Sequence, residues 1–254
     1  MDSLLIAAPS ALTLAGGVIG YAAAHPASQL FGPSVRHTAA HRKLAITFDD
    51  GPNPAITPKL LDLLDRHNAH ATFFLVGDFV RQCPGLTRET AARGHTLGNH
   101  THTHPNLFKC SPAKIRDELH RCSDAIHEAA NITPKWFRPP FGLRNPWVIP
   151  AANRLGMQAV MWTLLPDDWK APSPEWLIPR MQPIADHAQQ IAARSKNSQA
   201  LSSGDILCLH DGNHRHLNGD RQCTVAALEY WLPRWRDLGL EFVTIEEAVR
   251  SPAP

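Results

Sequence analysis

After residue 43 the apolar positions fall into two alternating rhythms. Short, largely apolar runs read as buried strands: LAITF (44–48), ATFFLV (71–76), HTLGN (95–99), WFRP (136–139), QAVMWTL (158–164), DILCLH (205–210) and EFVTI (241–245). Between them, apolar residues recur at three- and four-residue spacing over 56–68, 85–94, 111–131, 145–156 and 221–239, which predicts helices. The stretch 175–195 has the same spacing, but Pro179 and Pro183 interrupt it. Ser111-Pro112 and Ser173-Pro174 each suit an N-cap followed by the first helical residue. Strand and helix alternate about seven times in about 205 residues, which predicts an α/β fold with parallel strands. That size suits a small or deformed (β/α) barrel better than an open doubly wound sheet. No GxGxxG follows the first strand, so a dinucleotide cofactor has no support.

The N-terminus breaks this pattern. Ser3 to Ala24 contains no charged residue, enough for a helix to span a bilayer core. A membrane anchor, a cleaved signal peptide and a weakly apolar buried helix compete. The start Met-Asp-Ser lacks the basic region of a signal peptide, which favours the anchor. Membrane association through residues 3–24, in a membrane-anchored or cell-envelope protein, is therefore the expectation. Arg36, Arg42 and Lys43 are too few to fix the side of the membrane.

Composition narrows the function. The chain has 254 residues, 25 Lys+Arg against 23 Asp+Glu, and a net charge of +2. No basic run can track a phosphate backbone, so a nucleic-acid partner is disfavoured. The five cysteines lack a CxxC spacing; Cys110 and Cys122 could pair in an oxidising compartment, and otherwise the thiols are free. The 15 histidines are in excess, so their placement matters.

The informative polar residues follow strands, where parallel α/β folds put their sites. The first strand delivers Asp49-Asp50-Gly51-Pro52. A turn needs one Asp for its backbone hydrogen bonds; the second asks for a cationic partner. The third strand ends in His100-Thr101-His102-Thr103-His104-Pro105, where a tight turn could bring His100 and His104 onto one ion. Two imidazoles and a carboxylate make a donor set for a catalytic divalent metal. Arg138 closes the fourth strand, Asp167-Asp168-Trp169 follow the fifth, and His210-Asp211-Gly212 end the sixth. An Arg beside a carboxylate keeps it ionised, and an Asp beside a His favours the imidazolium.

In that order, TFDDGP, HTHTHP, RPPFG, DDW and LCLHDG resemble the NodB-homology polysaccharide deacetylases, carbohydrate esterase family four. The resemblance runs from Lys43 to about Val249. It implies a deformed (β/α) barrel of about seven parallel strands over 43–254, preceded by a hydrophobic segment (1–25) and a linker (26–42). It also implies hydrolysis of an N-acyl, usually N-acetyl, group from an amino sugar of a polysaccharide or oligosaccharide. Asp50, His100 and His104 would hold one divalent metal ion, usually Zn2+ in this family. Asp49 resembles the general base and His210 the general acid, with Arg138 and Asp168 orienting them. The Phe141 backbone would help bind the oxyanion, and Trp169 would line the acyl pocket. Two departures stand out. Phe141 stands where the family often has Tyr after RPP, and Leu165 replaces the first Asp of the usual DxxDW; a lesser change is Cys208, placed with the substrate-binding residues, which replaces an aliphatic residue. A lipid-linked amino sugar is the alternative substrate, and an inactive carbohydrate-binding scaffold the alternative of a different class.

The other histidines read as structural. His102 is expected exposed or just behind the ligands, His95 in support of the fold, and His214 and His216 on a solvated loop where substrate contact is the alternative. Trp231 and Trp235, four apart on the last long helix, read as core.

Overall fold

The computed structural model describes residues 16–194 and 203–250. The predicted strands all form: β2 (Lys43–Gly51), β3 (Thr72–Leu75), β4 (Thr96–Asn99), β5 (Trp136–Phe137), β6 (Gln158–Val160), β7 (Ile206–His210) and β8 (Glu241–Val243), joined by a short β1 (Ser34–Val35). All strand pairings are parallel, in the order β1-β6-β5-β4-β3-β2-β7, with β8 beside the start of β2. The chain after β6 then crosses to β7. Leu164 bridges Leu207, and the Cys208 amide donates to the Leu164 carbonyl at 2.9 Å. This narrow seam closes the deformed barrel. It also explains why only three residues of the expected 158–164 strand pair with β5 and β1: the remainder changes partner.

The helices surround the strands: α1 (16–24), α2 (Thr57–Arg66), α3 (Gly77–Gln82), α4 (Pro84–Ala92), α5 (Pro112–Ala130), α6 (Val148–Arg154), α7 (Pro174–Arg194), α8 (Gln222–Asp237) and α9 (Ile245–Ala248). Helix α7 runs through Pro179 and Pro183, against expectation. Its stripe of Leu177, Met181, Ile184 and Ala185 is buried in the same core as Leu228, Trp231 and Trp235 of α8, and that packing outweighs two lost backbone hydrogen bonds. Trp231 and Trp235 stack inside this core, as the sequence implied.

Strand alternation divides the interior in two. Leu44, Ile46 and Phe48 of β2 face the helices, while Ala45 belongs to an inner cluster with Phe74, Val160 and Ile206. The lumen is filled, as small barrels require, and its polar centre is Arg138, described below.

The 26–42 stretch is no free linker. It contributes β1, Thr38 bridges Gly204, and the Ala39 amide donates to the Ala248 carbonyl at 2.7 Å. Helix α1 also docks: Ala22 and Ala23 are buried, and the Arg144 side chain donates to the carbonyls of His25 and Ser28 at 2.6 and 3.0 Å. Most of the expected anchor, residues 3–15, lies outside the described residues; among those described, no helix is long and apolar enough to cross a membrane. The five cysteines are free, and the buried Cys122 thiol donates to the Leu75 carbonyl.

Candidate hydrolytic site

The carboxyl ends of β2, β4, β5 and β7 open into one cleft of about 530 Å³. On a regular strand Asp49 and Asp50 would point to opposite faces. The β2–β3 register instead shifts between Asp49 and Gly51, and Asp50 sits at φ 73°. This irregularity turns both carboxylates into the cleft. Thr101, His104, Phe141 and Asp167, in the loops that carry cleft residues, share positive φ values (69°, 55°, 59° and 60°). Such backbone is costly for non-glycine residues and concentrates at functional sites.

Asp50, His100 and His104 converge as the sequence implied. The Asp50 Oδ1 atom is 3.6 Å from His100 Nε2 and 3.1 Å from His104 Nε2. That oxygen is buried and has no hydrogen-bond partner. His100 Nδ1 is engaged by the Arg138 carbonyl at 2.8 Å, which leaves Nε2 facing the cleft. Burial lowers the His100 pKa to about 4, so at neutral pH its imidazole is in the neutral, ligating form. Burial opposes an ionised Asp50, but the His104 and His214 imidazoles, helped by His210, hold its carboxyl well below the usual range. An orphaned anionic oxygen facing two ring nitrogens is the donor set of a divalent cation, so these residues fit the metal that the sequence implies.

Asp49 flanks this trio. Its Oδ1 accepts from Arg138 Nη1 at 2.8 Å, and the same Nη1 donates to Thr47 Oγ1 at 2.7 Å. Arg138 is fully buried, lies 4.2 Å over the Phe74 ring and also donates to the Val160 carbonyl. A delocalised, weakly hydrated guanidinium tolerates such a lumen better than an ammonium would. Cys208, expected with the substrate-binding residues, is buried in the lining of the cleft beside Asp49; its thiol donates to Oδ2 at 3.4 Å, and burial raises its pKa well above the usual value.

His210, the register partner of Asp49 on β7, also lines the cleft. Asp168 Oδ1 lies 2.8 Å from His210 Nδ1, while Asp168 Oδ2 accepts the His210 backbone N–H at 2.8 Å and the Thr224 hydroxyl at 2.9 Å. Burial works against the imidazolium, yet Asp168, with Asp50 and Asp49 behind it, raises the His210 pKa to about 9. Trp169 meets His210 edge-on at 4.9 Å, and Leu165 and Trp162 complete an apolar wall. Phe141 is half exposed and sets its edge against His104 at 4.7 Å.

Glu118 and Asn53 of this site lie outside the sequence motifs, and Asp211 has a role within LCLHDG that the motif alone does not reveal. Glu118 of α5 is fully buried and accepts the backbone N–H of His102 and Thr103 and the Thr103 hydroxyl, so it shapes the loop that carries both ligand histidines. Asp211 and Asn53 tie the loops after β7 and β2 together: Asn53 donates to the Asp211 carbonyl, and the Thr57 hydroxyl donates to the Asp211 carboxylate. His102 is buried, its Nε2 2.9 Å from Asp78, and so is not exposed as one reading had it. His95 supports the fold: it is buried and accepts the Ala71 amide. His214 does not lie on a purely solvated loop; its ring reaches Asp50.

Comparison with known proteins agrees with this geometry. The polysaccharide deacetylase family model matches residues 36–160, which carry the first three of the five motifs. A peptidoglycan-N-acetylglucosamine deacetylase of Bacillus cereus is 37% identical over 213 residues, 82% of this chain and 88% of that protein. A chitooligosaccharide deacetylase of Bradyrhizobium sp. is 35% identical over 209 residues, 79% of this chain and 87% of that protein. Among solved structures, the Bc1960 peptidoglycan N-acetylglucosamine deacetylase superposes with a TM-score of 0.72 at 28% identity, covering 86% of this chain and 93% of that one. With its barrel, its strand-end cleft and relatives matched along most of their length, the chain belongs to the polysaccharide deacetylase family, carbohydrate esterase family four, and is a hydrolase of that class.

Proposed function

We propose that this protein is a divalent-metal-dependent hydrolase that removes the N-acetyl group from N-acetylglucosamine units of a glycan, chitooligosaccharide or peptidoglycan in type. The observation that carries the reading is one cleft that gathers a carboxylate–imidazole trio, an Arg-held carboxylate and an Asp-held imidazole. Asp50, His100 and His104 would hold the ion, for which these N and O donors suit Zn2+. When bound, it supplies Lewis-acid polarisation of the amide carbonyl and acidifies water.

The chain's own groups do the rest. Asp49, with Oδ1 pinned by Arg138, keeps Oδ2 toward the trio, 3.8 Å from His100 Nε2, and takes the proton of the attacking water. His210 arrives protonated at neutral pH because Asp168 stabilises its charge, and it gives that proton to the departing amine. An amine leaves poorly without a proton, so this pairing of base and acid is what amide hydrolysis needs. Trp169, Leu165 and Trp162 offer an apolar wall that fits an acetyl methyl group. Half-exposed Phe141 at the opposite rim can pack against a sugar face.

The test is acetate release from chitooligosaccharides and peptidoglycan by the wild type, by Asp49→Asn and by the wild type after chelation. Release by the untreated wild type alone, restored by added Zn2+, is expected. Full activity of Asp49→Asn, or release unaffected by chelator, would overturn the mechanism.

A further inference from the structure

The loop after β7 brings a third imidazole to the trio. The Asn213 side chain accepts the Arg215 amide at 3.0 Å, and the Asn213 carbonyl accepts the His216 amide at 2.9 Å, so the backbone around His214 is a defined turn. The His214 ring stacks on His104 with centroids 4.3 Å apart and planes 19° apart, and its other neighbour is the edge of Phe141 at 5.4 Å. The two imidazoles lie almost parallel, and each has a ring nitrogen near Asp50. His104 Nε2 is 3.1 Å from Asp50 Oδ1, and His214 Nδ1 is 3.7 Å from Asp50 Oδ2. Two stacked imidazoles thus address the two oxygens of one carboxylate.

That division of labour has a physical use. A carboxylate can rotate about its Cβ–Cγ bond, and a metal feels every such rotation as a change in donor position. An N–H on the outer oxygen fixes the inner one and so tightens the site. We propose that His214 is a positioning residue of the metal centre: its Nδ1–H holds Asp50 Oδ2 and keeps Oδ1 aimed between His100 and His104. Closing the gap from 3.7 Å to the roughly 2.8 Å of a charge-assisted hydrogen bond takes a small turn of the carboxylate. The inference rests on the metal-dependent reading above, and its test separates the two.

Zn2+ affinity measured by chelator competition, independent of turnover, is the readout. In Asn the amide Nδ2 stands the same number of bonds from Cβ as Nδ1 does in His, so His214→Asn keeps a donor in place. His214→Ala removes it, and His214→Phe keeps only the stacking on His104. His214→Ala and His214→Phe are expected to bind Zn2+ about 10- to 100-fold more weakly, while His214→Asn stays close to the wild type. Wild-type affinity in His214→Ala or in His214→Phe overturns the proposal. So does an affinity in His214→Asn as low as in His214→Ala, which would instead point to direct ligation by the imidazole. Asp50→Ala and His104→Ala serve as controls: if both keep full Zn2+ affinity, the metal reading itself has failed.

Discussion

Replacing Asp168 by Asn removes one negative charge beside His210 at nearly constant volume. In the wild type that charge, with its 2.8 Å contact to Nδ1, outweighs burial and raises the His210 pKa from 6.5 to about 9. At about 1.4 kcal/mol per pH unit, the gap corresponds to about 3 kcal/mol of preference for the folded imidazolium. A pKa raised on folding stabilises fully below the unfolded value, so this contribution is complete below pH 6.5. It is lost as the pH rises through about 9. The Asn amide adds a cost independent of pH. If its oxygen faces Nδ1, its NH2 group faces the His210 amide and the Thr224 hydroxyl, which in the wild type donate to Asp168. An unmet buried donor costs about 1–3 kcal/mol. Two measurements follow. In the pH profile of kcat/KM for acetate release, the alkaline limb should move from near 9 toward lower pH, since only Asp50 and Asp49 then oppose the effect of burial on the imidazolium. In thermal unfolding, the deficit of Asp168→Asn should be larger at pH 6 than at pH 10. An alkaline limb that stays in place, or a deficit equal at both pH values, would refute the assignment of His210 as an acid charged by Asp168.

Other perturbations give equally definite expectations. Arg138→Met strands Asp49 in the lumen; breaking a buried pair costs about 3–5 kcal/mol, so calorimetry should show a midpoint lower by roughly 10 °C, with deacetylation nearly abolished. Glu118→Ala removes three hydrogen bonds from the loop of His102 and Thr103, and Zn2+ affinity by chelator competition should fall although no ligand has changed. Glycines should separate by surroundings: a Cβ at Gly212 would run into the Asp50 backbone carbonyl, so Gly212→Ala should lower the melting temperature sharply. Gly85→Ala on the open face of α4 should raise stability by about 0.5–1 kcal/mol.

The succession of strands and the site location were legible because the expected strands are largely apolar runs and those that lead into the site are followed by unusual polar residues. Asp49, Asp50, His100, His104 and His210 line the cleft for that reason, with Arg138 and Asp168 bonded directly to Asp49 and His210. What stayed hidden depends on contacts between distant segments. The irregularity that turns Asp50 toward Asp49 is a register shift against β3, and no local pattern in TFDDGP announces it. Glu118 looks like any polar residue of an amphipathic helix until the histidine loop lands on it. His214 depends on a loop fold that brings it back over His104. Strand β1 is two residues long, too short to carry alternation. One signal was present and unread: Thr244-Ile245-Glu246-Glu247 fits a capping box, and the structure starts α9 there, ending the expected 241–245 strand early.

The five positive-φ residues around the cleft bear on how this enzyme can be engineered. Each stores of order 1 kcal/mol that glycine would release, and at least Asp50 and His104 carry side chains that the reaction needs. Melting temperature and turnover therefore pull in opposite directions at these positions. A screen that selects only for heat resistance would drift into the mouth of the barrel and return sturdy, inactive proteins. Stabilisation campaigns should hold Asp50, Thr101, His104, Phe141 and Asp167 fixed and search the helical shell, where packing and catalysis do not compete.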